Sequence, residues 1–239
     1  MCTYDRAELL AEAIECFLRQ TVPNLELVII NDREDQDIIF DHPQVKILNC
    51  KTRFANTGAK RKATAELATG QYLMFWDDDD IHLPGHTQSC LDRLKYFKNN
   101  NISRATHNWC YNGDDDGYIL RPSRWVHTLL IDRKVYWEVG GHVELTADED
   151  IAFIQRLLSH GKMSHYQIPF TAPTFIYRRV TGRSRISDAA PRTVTCDQRW
   201  QHVKEESDER NVKGRIVIEP RWDKDYQALA DAALVRLRA

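Results

Sequence analysis

Tyr72-Leu-Met-Phe-Trp76 is an unbroken apolar run, and Asp77-Asp78-Asp79-Asp80 follow it with no spacer. Five apolar residues are of strand length and predict a strand buried on both faces. In open α/β sheets, ligands bind beyond the carboxyl ends of the strands, where these aspartates would stand. Crowding carboxylates there is costly, because two like charges about 4 Å apart repel by roughly 1–4 kcal/mol, depending on local dielectric. A divalent cation removes that cost, and Mg²⁺ or Mn²⁺ is commonly held by one or two carboxylates together with substrate phosphates. The run therefore predicts a metal-assisted site and not a merely solvated turn.

The flanking sequence places that strand in an α/β layer. Residues 5–20 predict an amphipathic helix, with Asp5 and Glu8 at capping-box spacing and Leu9, Leu10, Ala13, Ile14, Phe17 and Leu18 on one face. Leu25 to Ile30 and Val45 to Leu48 read as strands. Thr57 is placed to cap a helix over 58–69 that Gly70 closes, and Pro84 opens another running to about Phe97. Alternating strands and helices with short links predict a parallel sheet. Further on, residues 103–132 alternate like antiparallel strands around Asn112-Gly113. A helix at 147–160 ends at Gly161, strands are expected near 174–178 and 216–218, and a closing helix over 223–237.

A length of 239 residues suits one such domain with a small extension. The net charge of −2 gives no global bias toward nucleic acid or acidic membranes. Six scattered cysteines without a CxxC pair read as reduced thiols, and no apolar run reaches membrane-span length, so a soluble, cytoplasmic chain is expected.

Other groups are weighed against blander explanations. Asp114-Asp115-Asp116 lies between turn glycines and reads as a solvated hairpin tip. Asp148-Glu149-Asp150 opens a helix, where acids favour the macrodipole. Beside a metal cluster, the same group becomes a candidate general base for an acceptor hydroxyl. His82 and His86 are separated by Pro84 and Gly85, which argues against zinc and for loop histidines near a cleft. Trp109, Tyr111, Trp125 and Trp137 read as core or half-buried sheet residues in preference to a sugar-stacking wall. His107 and His127 suggest no role.

These segments together resemble family 2 glycosyltransferases. Thr3-Tyr-Asp-Arg6 resembles the family's T-Y-N-R, and Leu27 to Asp32 its second strand. Asn56-Thr-Gly58 with Lys60-Arg61, Gly70-Gln-Tyr72, Phe75 to Asp80 with Pro84, Gly140-Gly141, and Glu149-Asp150 follow in the family's order over residues 3–155.

The resemblance implies a GT-A fold, an α/β architecture with a mainly parallel sheet and a small antiparallel part. It divides the chain into a glycosyltransferase domain over 1–190 (nucleotide-binding half 1–100, acceptor half 101–190) and an extension over 191–239. The activity it implies is sugar transfer from a nucleotide-diphosphate sugar, a UDP-sugar first among them, with inversion and with Mn²⁺ or Mg²⁺. Thr3, Tyr4, Asp32, Arg61, Asp77 and Asp78 would hold the donor, and Asp79 with Asp77 the metal. Asp150, with Glu149 beside it, would serve as base, and Gly140 and Gly141 would line the acceptor pocket. Apart from the resemblance, residues 177–187 carry four arginines and a glycine and read either as an exposed basic loop or as one in which Arg183 and Arg185 would close on the diphosphate.

The acceptor is left open among a glycan, a small molecule and a modified nucleic-acid base. Nucleotidyl transfer and a non-catalytic binding module are the competing classes. Met1-Cys2 offers little of the family's apolar first strand, so either the chain is a truncated form or a segment such as 215–219 is expected to fill that space. Arg33-Glu34 and Lys62 also depart from the family's pattern, so the base pocket is expected to differ.

Overall fold

The computed structural model describes residues 1–96, 101–111, 117–123, 126–163, 171–178 and 212–238. Strand β2 (Leu27–Asn31), buried throughout, is flanked by parallel strands β1 (Cys2–Thr3) and β4 (Val45–Asn49). Beyond β1, an isolated parallel bridge joins Cys2 to Asp77, just past β5 (Tyr72–Met74). On the far side of β5, β10 (Leu129–Asp132) runs antiparallel both to it and to β7 (Ile102–Arg104). A mixed sheet follows in the order β6 (Ile81–His82), β11 (Phe175–Arg178), β8 (His107–Tyr111) and β9 (Tyr118–Pro122), in which β8 and β9 form the expected antiparallel pair. The expected tip of that pair, residues 112–116, lies outside the described residues.

The first strand is present as a two-residue stub, and residues 215–219 do not lie beside β2. Instead β12 (Gly214–Val217) pairs in parallel with β3 (Gln36–Ile39), a strand not evident from the sequence. Polar captures hold it there. Gly214 N donates to Asp35 O at 2.7 Å, and the Gln36 side chain donates to Val212 O at 2.6 Å. The stub is anchored at its start, where the Met1 amino group donates to Val28 O at 2.7 Å and Ile30 N to Met1 O at 3.1 Å.

Two apolar clusters form on the layers. One joins α1 (Ala7–Leu18) to β2, Trp76, Trp109 and the last helix, α6 (Tyr226–Arg238), through Leu10, Ile14, Tyr226 and Ala230. The other gathers Phe75, Ile131, Tyr136, Phe153 and Leu157. Trp109 is core, as expected, and Leu18 is the exposed member of the expected α1 face. The other helices are α2 (Thr57–Leu67), α3 (His86–Arg93, continued by a short 3-10 turn), α4 (Arg133–Glu138) and α5 (Glu149–Ser159).

Several helix ends differ from expectation. Helix α1 starts at Ala7 and not at residue 5, because Asp5 adopts φ 56°; the Asp5 carboxylate accepts from the Gln36 side chain. In α2 the cap is Asn56, whose side chain accepts from Ala59 N at 2.8 Å. Its far end turns extended at Ala68, and Glu26 takes the Thr69 and Gly70 N–H groups in place of a left-handed glycine. Gly161 does close α5. Its φ is +61°, its N–H donates to Leu158 O, and Lys162 N donates to Leu157 O, a Schellman arrangement.

Gly58 joins the two halves of the site. Its N–H donates to Leu145 O at 3.0 Å, and an added Cβ would stand 1.9 Å from Val143 O. Relief requires moving α2, or the loop that leads into α5. Gly58→Ala should therefore cost about 2 kcal/mol or more of stability, a value for overpacking against an unyielding neighbour. Urea unfolding measures it, and an unchanged midpoint would reject the close approach.

Candidate active site

The four aspartates form the link from β5 to β6, and long-range partners fix them one by one. Asp77 Oδ1 accepts from Arg61 Nη2 at 2.8 Å, and its Oδ2 lies 3.2 Å from His127 Nε2. Arg6 Nη1 reaches both Asp78 Oδ1 at 3.0 Å and Asp79 Oδ2 at 3.2 Å. Asp80 Oδ1 accepts from Arg178 N at 2.9 Å. Burial pushes the Asp78 carboxyl above its ordinary value against the pull of Arg6, and neighbouring Asp79 and Asp77 add to the rise. Its Oδ2 is buried without a hydrogen-bond partner among the described residues. The donor chemistry and this orphaned oxygen fit a hard divalent cation. Asp77, Asp80 and His127 can bring ligand atoms within 4.8 Å of one another.

Arg61, buried in α2, also donates from Nε to Glu149 Oε1 at 3.0 Å, so α5 is tied to the acidic run through one guanidinium. Burial raises the Glu149 carboxyl, only partly offset by Arg61, with Asp150 raising it further. Asp150 is half-buried, and its Oδ1 accepts from Ile151 N at 2.8 Å. Asp32 is fully buried. Lys60 pairs with its Oδ1, and Phe54 N donates to its Oδ2 at 3.0 Å. Lys60 also donates to Thr3 O at 2.6 Å. Tyr4 lies under Arg53, whose guanidinium carbon is 4.1 Å from the ring centroid, with Arg33 at 5.8 Å.

The structure thus joins Asp77 and Glu149 through Arg61, Asp78 and Asp79 through Arg6, and Asp32 to the Thr3 carbonyl through Lys60. Gly140 and Gly141 have a structural task of their own. With φ +82° and +68° they close α4 in a second Schellman arrangement, Gly140 N donating to Trp137 O and Gly141 N to Tyr136 O. Arg156 donates to the Gly141 carbonyl at 3.0 Å. Arg183, Arg185 and Trp125 lie outside the described residues.

His82 and His86 are not cleft histidines. Both are fully buried, with His82 stacked on Trp76 at 3.9 Å and 5°, and burial holds both well below the ordinary histidine range. Sequence reasoning missed His127, Arg6 and Lys60 as site residues. Arg6 and Lys60 stood inside quoted motifs, whereas His127 carried no local signal.

The chain belongs to glycosyl transferase family 2, whose sequence profile matches residues 1–136. An uncharacterized glycosyltransferase of Methanocaldococcus jannaschii is 31% identical over 129 residues, covering 51% of this chain and 43% of that protein. The chondroitin synthase of Escherichia coli is 26% identical over 116 residues, covering 42% of this chain and 17% of that one. The chain thus spans less than half the length of either relative. Among solved structures, S. aureus TarS 1-349 in complex with UDP-GlcNAc superposes with a TM-score of 0.57 at 12% identity, over 85% of this chain and 69% of that one. That likeness shows the fold, which is GT-A. No helix among the described residues is long and apolar enough to cross a membrane.

Proposed function

We propose that this chain transfers a sugar from a nucleotide-diphosphate sugar to an acceptor hydroxyl by a metal-dependent single displacement with inversion. The observation that carries the reading is Arg61, which ties the acidic run at Asp77 to the acid pair at Glu149. A donor site and a base are thereby coupled across one side chain. Family membership, and the likeness to a TarS chain solved with UDP-GlcNAc, make a UDP-sugar the first donor to test.

Asp77 belongs to both candidate ligand sets, Asp77 with Asp79 and Asp77 with Asp80 and His127. Bound there, Mn²⁺ or Mg²⁺ would neutralise charge developing on the departing diphosphate. Thr3, Tyr4 and Asp32 would frame the nucleoside, and Arg183 and Arg185 the diphosphate. Asp150, the more exposed acid at the start of α5, would take the acceptor proton, while Glu149 holds Arg61. Gly140 and Gly141 keep their proposed place near the acceptor, their capping role explaining why the turn holds its shape. We place the protein in a reducing, cytoplasmic setting, a reading supported by Cys2, Cys16, Cys50 and Cys90, which form no disulfide among the described residues.

The test is a thermal-shift screen of UDP, GDP, dTDP and CDP, each with and without Mn²⁺, followed by product analysis. A ligand that binds only the folded state raises the melting temperature by mass action. UDP with Mn²⁺ is expected to shift it most, and turnover of a UDP-sugar to release free UDP. Pyrophosphate release would point to nucleotidyl transfer. No shift and no turnover with any nucleotide would favour a binding module.

A further inference from the structure

The acidic run is held from behind by a buried polar assembly that the proposed chemistry does not use. Arg178, at the end of β11, donates its backbone N–H to Asp80 Oδ1 at 2.9 Å and its Nε–H to the Asp79 carbonyl at 2.8 Å. One residue therefore fixes the main chain of one aspartate and the carboxylate of the next. Its guanidinium is fixed in turn. Nη1 pairs with Glu12 of α1 and donates to the Tyr226 hydroxyl of α6 at 3.1 Å. Tyr226 donates to Glu12 Oε1 at 2.5 Å, and Asp223 N approaches the same oxygen at 3.3 Å. Arg178, Glu12 and Tyr226 are 5%, 3% and 3% exposed, so water does not screen these interactions.

We propose that Arg178 is a positioning residue for the Asp79–Asp80 segment, and that Glu12 and Tyr226 set its position, so that the Tyr226 hydroxyl of α6 acts on the donor site through Arg178. The proposal rests on reading the acidic run as the metal and donor site. Ligand carboxylates act through their orientation, and groups that orient them affect metal affinity almost as strongly as the ligands do. Removing the Tyr226 hydroxyl takes a donor from Glu12 and an acceptor from Arg178 inside a desolvated network. The guanidinium can then shift, and the Asp79 carbonyl and Asp80 carboxylate shift with it.

Mn²⁺ affinity in the presence of UDP, followed by electron paramagnetic resonance of free Mn²⁺, tests this on the full chain. Tyr226→Phe and Arg178→Lys are each expected to weaken Mn²⁺ binding by roughly tenfold or more. Ala230→Gly loosens the same helix without touching a hydrogen bond of the network. It should lower the melting temperature while leaving Mn²⁺ affinity within about twofold of wild type, as expected for an uncoupled site. Should Tyr226→Phe fail to fold, Arg178→Lys alone decides.

Wild-type Mn²⁺ affinity in a folded Tyr226→Phe or Arg178→Lys chain would overturn the positioning role and leave the donor-site reading standing. The role would also fall if Ala230→Gly weakened Mn²⁺ as much as they do. A wild-type chain that binds no Mn²⁺, even with UDP, would overturn the donor-site reading and the proposal with it.

Discussion

Replacing Asp150 with Asn is expected to slow sugar transfer by roughly 10²–10⁴-fold, the contribution of a positioned general base, while UDP and Mn²⁺ bind as in wild type. The two acids at the start of α5 differ in surroundings. Glu149 is buried and accepts from Arg61, whereas Asp150 is half-buried and forms no ion pair among the described residues. An acceptor hydroxyl can approach Asp150, and the asparagine oxygen can keep the bond from Ile151 N. The substitution therefore removes basicity with little change of shape. Glu149→Gln should behave differently. It weakens the hold on Arg61, so its effect belongs in KM for the donor more than in kcat. Full activity in Asp150→Asn would end the base assignment.

Asp77→Asn is expected to abolish the Mn²⁺-dependent part of the UDP thermal shift and to lower kcat/KM for the donor by roughly 10²-fold or more. Asp77 bridges to Cys2 of the first strand, pairs with Arg61 and lies against His127, so three elements meet on one residue. Loss of its charge leaves a buried guanidinium with one carboxylate partner fewer, in addition to removing a candidate ligand. Companion substitutions separate the two ligand sets. If Asp79→Asn reproduces the loss and His127→Gln does not, the set read from the sequence holds. If Asp80→Asn and His127→Gln reproduce it and Asp79→Asn does not, the spatial set holds. An Asp77→Asn chain that keeps a wild-type, metal-dependent shift would reject both.

What was legible in the sequence was local in origin. The strand at Tyr72 (shorter than expected, with only Leu73 of its three residues buried), the aspartates after it, the apolar face of α1, the glycine stop of α5 and the hairpin of β8 and β9 all rest on contacts between near neighbours, which spacing reveals. The ordered motifs from Thr3 to Pro84 were equally readable, and the family match over residues 1–136 covers them. Where local signals competed with distant ones, the distant ones won. Asp5 departs from helical geometry and meets Gln36 across 31 positions, and the segment at 214–217 chose the edge of β3 over the space beside β2.

The partners of the site were decided by tertiary structure alone. Tyr226 meets Glu12 across 214 positions, and Arg178 meets Asp79 across 99. No periodicity encodes such pairs, because a buried charge takes whichever opposite charge the packed layers bring within reach. The sequence by itself determined that carboxylates would crowd the end of a strand in an α/β sheet, since that follows from apolar runs and chain order. Only the folded chain decided that Arg6, Arg61, His127 and Arg178 would answer them, since desolvation makes those partners necessary but only the packing of distant elements selects which they are.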